Sequence, residues 1–143
     1  MSEVDGATLM ARSLKQQGID HLFGVVGFPV GPIAAAQGEL IDHIARLAPF
    51  GAANPEPRFV FPGVRVLHAE LVGTGHLRCT LADPLDNARL RGIAFRAAGT
   101  PLGQFLAETR GIAIHIAGHL RRDNWRGGDA VQLAIDDAAP API

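Results

Sequence analysis

The sequence predicts an α+β fold: a five-stranded Greek-key barrel in the order β-β-β-α-β-β, preceded by an N-terminal helix–strand–helix extension. Three observations predict it. From residue 58 onward, apolar residues recur with period two, the spacing that turns one face of a strand inward. The alternating runs are short and separated by Gly-rich turns. One helical run stands between the third and fourth strands, where the helix of an OB-fold barrel plugs one end.

The extension comes first. Between Asp5 and Gly18, Ala7, Met10, Ala11 and Leu14 fall at helical spacing, with Asp5 as cap and Gly18 in the position after the last turn. His21–Val26 is a nearly all-apolar run, the pattern of a strand buried on both faces. Gly27–Pro32 is a turn, with Pro32 at a first helical position. Ile33, Ala36, Leu40, Ile41, Ile44 and Leu47 then share one stripe, which predicts a single helix from Pro32 to Leu47. Gly38 inside that helix costs about 1 kcal/mol relative to alanine.

The barrel follows an extended linker, Pro49–Pro57. Arg58–Val72 reads as a long first strand bent at Pro62-Gly63. In His76–Leu81, Leu77, Cys79 and Leu81 alternate with His76, Arg78 and Thr80. The third strand spans Arg89–Arg96, and Thr100–Arg110 is a helix burying Leu102, Phe105 and Leu106. Ile112, Ile114, Ile116, Gly118 and Leu120 mark the inward side of a fourth strand. Asp123–Gly128 turns the chain, and Val131, Leu133 and Ile135 line the inside of a fifth. The domain boundary is placed between residues 48 and 49, with the extension in 1–48 and the barrel in 49–143.

Composition fits such a protein. The chain has 143 residues, 48% hydrophobic and 19% charged, enough for one core. No run reaches the roughly 18 apolar residues of a membrane helix, and the acidic MSEVDG start has no signal-peptide core. The lone cysteine, Cys79, excludes an internal disulfide and fits a reducing cytoplasm. With 13 basic against 14 acidic residues, the whole molecule does not attract a polyanion, so nucleic-acid binding requires a local patch.

Two resemblances meet at a seam near Gln37–Gly38. The motifs PFG-x-x-NPEP (Pro49–Pro57), G-x-GHL (Gly73–Leu77) and W-x-G (Trp125–Gly127) make residues 39–143 similar to the C-terminal OB domain of the single-stranded-DNA-specific exonuclease RecJ. That resemblance implies an OB-fold and single-stranded nucleic-acid binding. The Asp and His motifs with which that family binds Mn²⁺ or Mg²⁺ do not occur. Residues 1–37, with GATLMARSLKQQGIDHLFGVVGFPVGPIAAAQ, resemble the start of thiamine-diphosphate-dependent 2-hydroxyacyl-CoA lyases and oxalyl-CoA decarboxylases. The cofactor-activating glutamate and the diphosphate-binding domain implied by that family are missing. The chain is therefore expected to be a bacterial, cytoplasmic, non-enzymatic chimera with no cofactor, whether rearranged, fused or designed.

OB barrels bind single strands with basic grooves, aromatic platforms and the loops beside strands 2–3 and 4–5. The candidates are His76, Arg78 and Thr80 on strand 2, Arg96 after strand 3, and Arg121, Arg122, Trp125 and Arg126 around the last turn. Asp123 and Asp129 dilute that cluster, and its plainer reading is a solvated hairpin whose Trp125 packs on the barrel edge. His115 and His119 read as surface histidines, since two histidines do not make a metal site. Cys79, alternating with leucines, reads as a buried structural thiol. The alternative function is protein interaction: an inhibitor or antitoxin-like module, or self-association, through Leu22, Phe23, Val25 and Val26, an apolar strand without its neighbours.

Overall fold

The computed structural model describes residues 33, 36, 38–127 and 130–142. Its elements are α1 (Gly38–Ala45), β1 (Phe59–Val72), β2 (His76–Ala82), β3 (Arg89–Ala94), α2 (Pro101–Glu108), β4 (Ala113–Arg122) and β5 (Val131–Pro140). The strands close into a barrel in the order β1-β2-β3-β5-β4. Every pairing is antiparallel except β3 with β5. This is the expected OB-fold, closed by the parallel pairing of β3 with β5.

The period-two pattern explains the interior. Val64, Val66, Cys79, Leu81, Ile114, Ile116 and Leu133 are fully buried and meet across the barrel. β1 bends at Pro62-Gly63, where its register on β4 shifts between Phe61 and Val64. Such a bulge lets one long strand serve two neighbours around a small barrel. Cys79 is the expected buried thiol, and burial pushes it up to about 11.

Helix α2 plugs one mouth. Thr100 caps it, its hydroxyl accepting from the Gly103 N–H at 3.2 Å, and Pro101 opens the first turn. Leu106 enters the core, with Leu102 and Phe105 packed beside it. At the other mouth, Ile33 and Ala36 are buried in the same core. The Ile33 N–H donates to Oδ2 of Asp83, just beyond β2, at 3.3 Å. Residues on both sides of Gln37–Gly38 therefore contribute to one interior.

Three local expectations fail. The helix predicted from Pro32 to Leu47 is not continuous: Ala36 is non-helical and α1 begins at Gly38. Gly38 therefore starts a helix instead of weakening the middle of one. Pro49–Pro57 is not simply extended, since Gly51 and Asn54 exchange backbone hydrogen bonds at 2.8 and 3.1 Å. The Asn54 amide also donates to the carbonyls of Leu47 and Pro49. Ile112 is exposed and precedes β4, because the turn after α2, with Gly111 at φ +77°, occupies that position. The expected helix at Asp5–Gly18, the strand at His21–Val26 and the interaction residues Leu22, Phe23, Val25 and Val26 lie outside the described residues.

Candidate nucleic-acid interface

Residues directly opposite on paired strands point to the same face, so register identifies what shares the outer surface. One row crosses the barrel as His68, Thr80, Arg91, Gln132 and Arg121. A second row contains Glu70, Arg78 and Ile93. Arg91 and Gln132 of the first row and Arg78 and Ile93 of the second line a groove of about 390 Å³, together with Val72 and Gly73 at the β1–β2 turn and Asp123 and Trp125 in the β4–β5 loop. His76 and Phe95 also line it.

Two aromatic rings stand open in this groove. Phe95 is about half exposed and Trp125 is 98% exposed. Trp125 thus does not pack on the barrel edge. A single exposed aromatic is ordinary on a protein surface; here two line one groove beside the guanidinium groups of Arg78 and Arg91. His76 steadies Phe95 by an edge-to-face contact, with centroids 5.3 Å apart. Its Nδ1 accepts from the backbone N–H of Arg96 at 2.9 Å, which fixes the turn after β3, where Arg96 has φ +54°.

The cations differ in their engagements. Arg78 donates from Nε to Glu70 Oε1 at 2.8 Å. That hydrogen-bonded guanidinium, with a smaller contribution from His68, holds the Glu70 carboxyl below its ordinary range. Arg91 approaches Asp123, its Nη1 lying 3.6 Å from Oδ2. Arg122 turns away to α1, donating to Asp42 Oδ1 at 2.7 Å and to the Gly38 carbonyl at 3.4 Å. Arg126 lines a neighbouring polar cavity of about 510 Å³ with Arg89, Arg91, Glu39 and Asp42.

Of the residues predicted from sequence, His76, Arg78 and Trp125 line one groove, with Arg96 joined to its wall. Thr80 and Arg121 share the register row of Arg91 and Gln132 but do not line the groove. Arg122 belongs to the α1 contact, and Arg126 reaches the adjoining cavity. Sequence reasoning missed Arg91, Ile93, Phe95 and Gln132. The signal for the first three was present: from Arg89 to Phe95 every second residue shares the outer face, as it does on β2.

The two histidines of β4 behave differently from surface residues. His115 is buried, and its Nδ1 accepts from the Gly63 N–H at 3.0 Å. The β1 bulge frees that backbone donor, and burial lowers the His115 pKa. His119 pairs through Nδ1 with Asp136 at 2.6 Å. Among the described residues no group of three or more His, Cys, Asp or Glu could hold a metal ion, and no helix is long and apolar enough to cross a membrane.

Comparison with known proteins bears on this same domain. The family model of the RecJ OB domain matches residues 31–137, a span that begins before the seam and takes in Ile33 and Ala36. No curated protein matches the chain. Neither comparison supports the thiamine-diphosphate resemblance of residues 1–37.

Proposed function

The chain belongs to the RecJ OB domain family, and we propose on that footing that it is a non-catalytic module that binds single-stranded nucleic acid along the outer face of β2 and β3. The observation that carries this reading is the meeting of Phe95, Trp125, Arg78 and Arg91 in one groove. Open rings accept bases of any sequence by stacking, while guanidinium groups draw in the phosphates between them. The formal net charge of −1 leaves this local arrangement to supply the attraction. The protein-interaction reading rests on Leu22–Val26, and no observation among the described residues favours it.

Trp125 is the only tryptophan of the chain, so intrinsic fluorescence reports directly on the groove. Titration with a short single strand at about 50 mM salt, with protein in the tens of micromolar, is expected to quench Trp125, and the affinity to fall as salt rises. Trp125→Ala is expected to weaken binding by about 1–3 kcal/mol, the typical contribution of one stacked base. Because the ring is 98% exposed, that variant should keep the parent's melting temperature. An unchanged spectrum together with flat fluorescence polarisation of a labelled strand would refute the reading.

A further inference from the structure

Asp123 is an anomaly in a groove read as anion-binding. Its side chain is 1% exposed, yet it lies on the wall of the groove. Its two oxygens have different tasks. Oδ1 accepts from the Trp125 backbone N–H at 3.2 Å, while the Asp123 backbone carbonyl accepts from Arg126 and Gly127, both at 3.1 Å. One residue thus shapes the loop that carries the tryptophan. Among the described residues Oδ2 accepts no hydrogen bond, and a charged group that faces it is Nη1 of Arg91, 3.6 Å away. A buried carboxylate without a cation is costly, so Arg91 is held toward it. A guanidinium has five donors in a rigid fork; a contact made through Nη1 leaves others for a ligand. Arg91 also sits where the groove and the neighbouring polar cavity meet, lining both.

Resting on the binding reading above, we propose that Asp123 is the positioning residue of the interface. Its carboxylate joins the Arg91 guanidinium to the Trp125 loop, so that phosphate contact and base stacking are presented to a strand as one unit. The idea opposes simple electrostatics. A negative charge beside a polyanion's groove should weaken binding, and its removal should tighten it. If Asp123 acts through Arg91, removal loosens binding instead.

The test uses the full chain and a labelled oligothymidylate across a salt series. Asp123→Asn retains an oxygen for the Trp125 N–H and removes the charge that holds Arg91. It is expected to weaken binding about fivefold or more and to flatten the log–log salt dependence by about 0.7, the equivalent of one lost phosphate contact on a single strand. Arg91→Gln should weaken the parent similarly and have little further effect in the Asp123→Asn background. A second measurement stands apart from the folding of any Asp123 variant. Arg91→Gln and Trp125→Ala, combined in the parent, should deviate from additivity by about threefold or more. Unchanged or tighter binding by a folded Asp123→Asn with an undiminished salt slope would overturn the proposal, as would additivity of Arg91→Gln and Trp125→Ala. Those outcomes leave the groove reading intact. Absence of any binding by the parent overturns both.

Discussion

At His115, a side chain takes the place of a backbone partner. The bulge in β1 leaves the Gly63 N–H without a ladder acceptor, and the imidazole Nδ1 supplies one at 3.0 Å. That acceptor exists only while the ring nitrogen is unprotonated. Burial lowers the His115 pKa from its ordinary 6.5 in the folded state. The unfolded chain therefore binds the proton more readily. The stability contributed is fully present above about 6.5 and is lost as pH falls toward the depressed folded value. Urea denaturation at pH 7 and pH 5 should show the loss, and His115→Asn, which keeps an acceptor that does not titrate in this range, should lessen it. His115→Leu removes the acceptor and should cost about 1–3 kcal/mol already at pH 7. Sequence alternation sets His115 apart from the inward Ile114 and Ile116 and reads it as a surface histidine. It did not reveal the burial, because the covering backbone comes from a bulge fifty-two positions away.

Among the elements, the strands were most legible, since alternation over five or more residues has one physical explanation. The ends were less so: Ile112 continues the apolar pattern but is spent on the turn after α2. The glycines of β3 and β4 were read only as strand residues. A side chain at Gly118 would collide with the Ala134 carbonyl, and one at Gly92 with Ile135. Gly118 lies beside the irregularity where β5 skips Asp136, so the two backbones come unusually close. Gly118→Ala should therefore lower the denaturation midpoint by the equivalent of about 1–3 kcal/mol. Gly51→Ala is the control: among the described residues, none beyond its chain neighbours comes within 4 Å of an added Cβ, so the change should stay within about 0.5 kcal/mol. The site divides in the same way. Strand period put His76, Arg78 and Thr80 on one face, but only the pairing of β3 with β5 brought Arg91 and Gln132 beside the Trp125 loop.

For the whole molecule, the question is where the barrel begins. Ile33 is 4% exposed and tied through its N–H to Asp83, although the sequence pattern assigns it to the N-terminal extension. Ile33→Ala should cost about 2–5 kcal/mol, the range for emptying a packed aliphatic site. A neutral result in thermal or urea denaturation would mean that Ile33 is not part of the cooperative core. The same scale explains how a chain with a formal net charge of −1 brings Arg78 and Arg91 into one groove: its charges are distributed unevenly, and both guanidinium groups are paired locally, with Glu70 and Asp123. Spacing along the chain dictates the strand periods, the helix between the third and fourth strands, and so the OB-fold. Folding in three dimensions is what carries Ile33 into the core, ties Arg122 to α1, and gathers Phe95, Arg91, Asp123 and Trp125 in one groove. These are meetings between distant segments, and barrel closure, register and bulges set them.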